Sequence, residues 1–281
     1  MVTPDIQIKI DPKEDVKTFL SFLNHSFFVQ KRSSILDAHP KLKEYADDPD
    51  FKDRVEEYVL EFYNNNQEKI DGVVEKNRKK LKGKDRALEI LASLMGYNWG
   101  EAWKIDAYVT ILPFSPFSDR KFNYSILGEL YDKNPLNKSL LSVAVHEISH
   151  MIFFDQLEKM GIGSVSQNSA IYYLKEALTT SLMNNQELRR ILKTKKELGN
   201  PDIRDIYVQK KGKRFTTLVN YMKNELKQPQ GFIYSLKPIV HRFIAAKKQF
   251  DSKKELWDKH GKKIFSDQKL LDAYSSPVKI K

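Results

Sequence analysis

Between residues 53 and 82 the apolar positions Val55, Val59, Phe62, Ile70, Val73, Val74 and Leu81 recur at helical spacing, and the run stops near Gly83. A second helix is expected from Asp85 to Met95, ending at Gly96, so that residues 1–100 read as a mostly helical N-terminal region. The texture then changes. Ile105 to Leu112 is apolar and β-branched and is halted by Pro113 and Pro116; Lys121 to Tyr131 follows in the same style, and these two stretches are the strand candidates. Beyond an Asn134-Pro135 turn, Ser139 to Met160 is long, apolar and closed by Gly161 and Gly163, which predicts a helix. A further helix is expected from Ser169 to Met183, ending at Asn184-Asn185. From Gln186 onward the pattern reads as several basic helices, interrupted around Gly199-Asn200-Pro201 and Gln228 to Gly231. Three regions result, 1–100, 101–200 and 201–281, or one compact unit containing all three.

Composition narrows the chemistry more than the fold. With 41% hydrophobic and 30% charged residues over 281 positions, the chain has the make-up of a globular protein able to bury its own core. It has no cysteine, which excludes disulfide scaffolds, thiolate zinc ribbons and cysteine nucleophiles; a transition-metal site would have to draw on carboxylates and the six histidines. Asp5, Asp11, Glu14 and Asp15 precede any apolar stretch, and Asn24 and His25 interrupt Phe19 to Val29, so no signal peptide is expected. No run of about eighteen apolar residues occurs. The expectation is a cytoplasmic protein with no membrane partner. The net charge of +11 is concentrated: residues 201–281 hold 19 Lys and Arg against 8 Asp and Glu, while the other 200 residues balance at 29 against 29. Such asymmetry can mark a face that meets a polyanion, although a solvated helical surface is the plainer reading.

The chemistry-bearing segment is Val143-Ala144-Val145-His146-Glu147-Ile148-Ser149-His150-Met151-Ile152, which contains H-E-x-x-H. On an α-helix, residues four apart differ by only about 40° around the axis and about 6 Å along it, so His146 and His150 can aim at one cation. Glu147 lies on the flank of that face, where a carboxylate can serve as general base without being a ligand. Apolar residues surround the motif from Leu140 to Leu157, which indicates a buried helix, and its interior polar residues Ser142, His146, Glu147, Ser149 and His150 fall in one wedge. Burying those groups uncompensated would cost several kcal/mol, and a divalent cation compensates them directly. A hydrogen-bonded core cluster without metal is the bland alternative. A catalytic zinc normally takes three protein ligands. Asp155 and Glu158 lie too far along the same helix, and the next carboxylate is Glu176, at the centre of the following predicted helix. An antiparallel packing would bring Glu176 to the metal; Glu187 and His241 are the alternatives, and a surface Glu176 paired with Lys175 is the reading without function.

The ten residues around His146 resemble the extended signature of the zincin metallopeptidases: uncharged residues flank the motif, no proline interrupts it, and apolar residues follow the second histidine. They do not resemble metzincins, which continue with a glycine and a third histidine where this chain has Phe153 and Gln156. The likeness is to gluzincins, and it implies an α+β, predominantly helical fold. Its parts would be a zincin-like core with a small sheet, an active-site helix and a following glutamate-bearing helix, with helical N- and C-terminal regions added. It further implies a Zn2+ cofactor held by His146, His150 and Glu176, a peptide or protein substrate, and Glu147 as the group that takes a proton from water and returns it to the leaving amine. Gluzincins often carry an acidic residue four positions after the glutamate to orient a ligand histidine; here that position is Thr180. Substrate in zincins commonly lies along an exposed sheet edge, and Lys121 to Tyr131 is the segment the resemblance places there. Tyr172, Tyr173, Tyr234 and His241 are candidates for stabilising an oxyanion. Trp99 and Trp103 read as core anchors. The competing class is a nucleic-acid-binding protein with a structural zinc, motivated by Lys210-Lys211-Gly212-Lys213-Arg214 and the basic C-terminal region.

Overall fold

The computed structural model describes residues 2–280 apart from 101, 102, 132–138, 164, 166, 198, 211, 213 and 228–231. The Asn134-Pro135 turn, the Gln228 to Gly231 break, and Lys211 and Lys213 of the basic run therefore lie outside the described residues. The chain begins with β1 (Asp5–Lys9), α1 (Pro12–Leu23), α2 (Val29–Ala38), α3 (Pro40–Glu44), α4 (Phe51–Lys80) and α5 (Lys84–Met95). Then come β2 (Lys104–Thr110), β3 (Phe117–Ser118), β4 (Lys121–Ser125), α6 (Leu127–Leu130), α7 (Leu140–Lys159) and α8 (Ser169–Met183). The remainder is α9 (Gln186–Leu192), α10 (Pro201–Arg204), β5 (Tyr207–Lys210), β6 (Thr216–Thr217), α11 (Leu218–Glu225), α12 (Phe232–Ala245), α13 (Lys247–His260), α14 (Gln268–Ser275) and β7 (Val278–Ile280). The fold is α+β and predominantly helical. By contacts it divides into two units, Met1–Asp85 with Trp99–Glu147, and Arg86–Asn98 with Ile148–Lys281.

In the first unit a four-stranded sheet runs in the order β1-β2-β4-β3. β1 and β2 pair in parallel, Ile6 facing Ile105 and Ile8 facing Ala107, and β2 and β4 pair in parallel, Val109 facing Tyr124. Parallel neighbours need a long crossover, which α1 to α5 supply between β1 and β2. α1 starts where Asp11 caps it, its side chain accepting from the amides of Lys13 and Glu14, with Pro12 in the first turn. Its buried face, Asp15, Val16, Phe19 and Leu23, packs on α4, whose inward residues are Val55, Val59, Tyr63, Ile70, Val74 and Asn77. Phe62 and Val73, expected inward, are half-buried, and Tyr63 takes the core position beside Phe62. Trp99 and Trp103 are core anchors, both buried with ring centroids 5.5 Å apart.

Two departures from the sequence pattern arise in this sheet. β1 pairs with a strand beyond residue 100, tying the helical N-terminal region into the sheet; five residues with two isoleucines are too short a run to stand out. Lys121 to Tyr131 is not one strand: β4 ends at Ser125 and α6 occupies the second half. Nor is it an edge, since β4 is paired on both sides and the antiparallel edge strand is β3.

The second unit is built around α8. Fourteen of its fifteen residues are buried, and it contacts α9, α10, α11, α12 and α13. Aromatic rings continue the packing: Tyr173 lies against Phe250, Phe250 stacks on Phe243, and Phe243 meets Tyr221. A three-stranded sheet, β6-β5-β7, lies within what the sequence pattern reads as several basic helices. The Gln249 amide closes the outer side of β7, accepting from Lys279 N at 2.9 Å and donating to its carbonyl at 3.3 Å. Part of the C-terminal positive charge is built into this unit: Lys253 is buried and donates to the Ala273 carbonyl and to Ser276 Oγ, both at 2.6 Å. Among the described residues no helix is long and apolar enough to cross a membrane.

Candidate metal centre

α7 carries the H-E-x-x-H segment, and its burial is nearly all-round, as the apolar pattern implies. From Leu140 to Leu157 only His146, Phe154 and Asp155 keep partial exposure. Farther along, Gln156 donates to the Met95 carbonyl at 2.8 Å and Asp155 accepts from Tyr97 at 2.8 Å, so the polar residues after the motif lock onto the segment ending α5. α8 begins where Asn168 caps the amides of Ala170 and Ile171.

His146, His150 and Glu176 come together, each offering a ligand atom, with all of these atoms within 4.8 Å of one another. His150 Nε2 and Glu176 Oε1 are 3.4 Å apart. Two donors each about 2.1 Å from a tetrahedral ion lie about 3.4 Å apart, so this pair already has the spacing of one tetrahedron edge. Two imidazoles and a carboxylate are a donor set for a borderline transition-metal cation, and the group could hold a metal ion. His146 is the least buried of the three. Glu147, adjacent in sequence, is a buried carboxylate, 6% exposed.

The state of His150 suits ligation. Burial, reinforced by the Lys175 ammonium and opposed by Glu176, lowers its pKa to about 4, so the ring is neutral at neutral pH. Its Nδ1 lies 3.1 Å from Thr179 Oγ1, which lies 2.5 Å from Ser149 Oγ. Lys175 Nζ is 3.4 Å from Nε2 and, as an ammonium, can only donate. With Lys175 donating to Nε2, the proton of the neutral ring sits on Nδ1 and is donated to Thr179.

Comparison with protein-family models, with curated proteins and with solved structures finds no match. What the group can do rests on its own chemistry.

Three residues around the centre are given no role at it by the sequence reading. Thr179, not Thr180, meets the ligand histidine; Thr180 is buried one position on, facing Gly199. Gly199 has a left-handed φ of +87°, and a Cβ there would come within 2.8 Å of Ile203 Cδ1 and 3.3 Å of Thr180 Oγ1. Only glycine lets the loop lie this close to α8. That approach brings Asn200, whose amide donates to Glu176 Oε2 at 3.3 Å. The third residue is Lys175, 9% exposed at the side chain, whose ammonium is ion-paired with Glu176 Oε1. The pairing of Glu176 with Lys175 thus exists, but in the interior rather than on the surface.

The alternatives fall elsewhere. Glu187 is exposed and paired with Arg86 at 2.5 Å, and His241 is exposed. Of the hydroxyl candidates, Tyr172 donates to the Asp202 carboxylate, Tyr173 is buried against Phe250, and Tyr234 is 77% exposed on the first turn of α12.

Proposed function

We propose that this chain is a zinc-dependent metallopeptidase that hydrolyses peptide bonds. The observation that carries the reading is the convergence of His146, His150 and Glu176 with the buried carboxylate of Glu147 next to the first of them. His146, His150 and Glu176 would hold the zinc, which supplies a Lewis acid able to activate water near neutral pH. Glu147 takes the proton of the attacking water and hands it to the leaving amine. Thr179 keeps the His150 ring in the tautomer whose Nε2 carries a lone pair and no proton, and Asn200 tethers one oxygen of Glu176. The apolar walls of α7 and α8 lower the local dielectric and so strengthen each of these interactions.

The test is zinc content together with cleavage of a peptide library, on the wild type and on Glu147→Gln. The wild type is expected to hold about one zinc and to cleave, and the variant to keep its zinc while losing about 10²- to 10⁴-fold in rate. Undiminished cleavage by Glu147→Gln overturns the mechanism, and a wild type that neither binds zinc nor cleaves overturns the reading. Nucleic-acid binding with a structural zinc is the weaker reading. Lys247 and Lys254 are paired with Asp251 and Asp258 of their own helix, and Lys253 is buried. Tight binding to DNA or RNA that weakens steeply with salt would favour it.

A further inference from the structure

Lys175 is an unexpected neighbour for a cation site. It is a buried lysine one residue before a candidate ligand, and its ammonium is directed into the group rather than outward. Its polar contacts include the two atoms that form the tetrahedron edge: it donates to Glu176 Oε1 and lies 3.4 Å from His150 Nε2, with the Tyr172 ring 5.2 Å from Nζ. A neutral imidazole offers one lone pair at Nε2, which can accept a hydrogen bond or bind a metal but not both. Two cations in one low-dielectric pocket also repel each other strongly.

We infer that the Lys175 ammonium and a divalent metal ion compete for His150 Nε2 and Glu176 Oε1, so that metal loading requires Lys175 to swing aside and Lys175 sets a ceiling on metal affinity. The inference rests on reading His146, His150 and Glu176 as a metal centre. It makes Lys175 a regulator of occupancy: the site accepts metal only above a threshold of free ion, and otherwise neutralises its carboxylate internally. The tether on Glu176 Oε2 from Asn200 belongs to the same device, because it holds the carboxylate in place when the ammonium leaves Oε1.

The experiment is titration of the full chain with Zn2+ and Co2+ against a chelating indicator, on the wild type, Lys175→Met, Lys175→Arg and His146→Ala, with circular dichroism to verify folding. Lys175→Gln replaces the methionine variant if that variant does not fold. Removing the charge is expected to tighten both metals by at least about tenfold, since the repulsion and the occupied lone pair both disappear. Lys175→Arg, which keeps the charge, is expected to stay within about threefold of the wild type. A wild type that binds one ion weakly beside a methionine variant that binds one ion at least about tenfold more tightly supports the inference outright. Equal or weaker binding by Lys175→Met, or equal tightening by Lys175→Arg, overturns it while leaving the metal centre intact. Absence of binding by every variant, or binding by His146→Ala as tight as by the wild type, overturns the centre itself.

Discussion

Asp15→Asn should abolish a large pH dependence of stability. Asp15 sits on the inner face of α1, fully buried, where Oδ2 accepts from Tyr63 Oη at 3.0 Å and from the Ile111 amide at 3.1 Å, and Oδ1 from Thr110 Oγ1 at 2.5 Å. Desolvation outweighs these three donors and raises its pKa from 3.8 to about 7. Tyr63 has one hydroxyl proton and faces two acceptors, Asp15 and the Val109 carbonyl at 2.9 Å; a protonated Asp15 resolves the conflict by donating to Tyr63 while Tyr63 donates to Val109. Because the folded state holds the proton more tightly than the unfolded chain, stability is greatest below about pH 4. It falls as the pH rises and levels off once the pH passes about 7. The displacement corresponds to about 4 kcal/mol in all, at about 1.4 kcal/mol for each tenfold change in proton affinity. Between pH 5 and 8 the wild type is expected to lose about 2 to 3 kcal/mol relative to Asp15→Asn, which carries a neutral group of the same shape. Urea unfolding of both proteins across that range measures the difference, and every other titrating group cancels between them. A stability gap that does not change with pH would refute the reasoning.

The remaining predictions concern the centre. Glu176→Gln should lose stoichiometric zinc, and adding a chelator should lower the melting temperature of the wild type but not of the variant, because only a protein that binds the ion gains stability from it. An unchanged zinc content in Glu176→Gln would remove that residue from the ligand set. Thr179→Val keeps shape but withdraws the oxygen that receives the Nδ1 proton of His150; zinc affinity is expected to fall about 10- to 100-fold, the usual cost of losing such a partner, and chelator competition reads it. Unaltered affinity there would mean that the ring is oriented by packing alone.

Much of this arrangement is legible in the sequence, and what is not has identifiable causes. α4, α5, α7 and α8 are long or strongly patterned, so periodicity and glycine stops place them within a residue or two. β1, β5 and β7 are three to five residues long, and their existence depends on distant partners that no local window contains. The two histidines are legible because four-residue spacing on a helix is itself a geometric statement. Thr179 is not, because which of two adjacent hydroxyls meets His150 depends on the rotation of α8 against α7. Asn200 is signalled only indirectly, through Gly199, and Lys175 reads as a surface residue until α8 proves buried on almost every side.

The buried carboxylates of this chain show why the α7–α8 group, rather than some other acidic residue, merits testing as a metal centre. Asp15 and Glu176 are both almost inaccessible, yet the fold treats them oppositely. Asp15 is surrounded by neutral donors from Tyr63, Thr110 and the Ile111 amide, and burial drives it toward the protonated form. Such a site is complete as it stands and calls for nothing further. Glu176 instead has an ammonium on one oxygen, an amide on the other, and a neutral imidazole nitrogen 3.4 Å away. Placing a positive charge, a carboxylate and an imidazole lone pair in one apolar pocket carries a desolvation cost that their mutual interactions must offset. Lys175 shows that the pocket accepts a single positive charge. The two histidines of α7 are what distinguish it from a plain buried ion pair, because with Glu176 they form a donor set that could hold a metal ion.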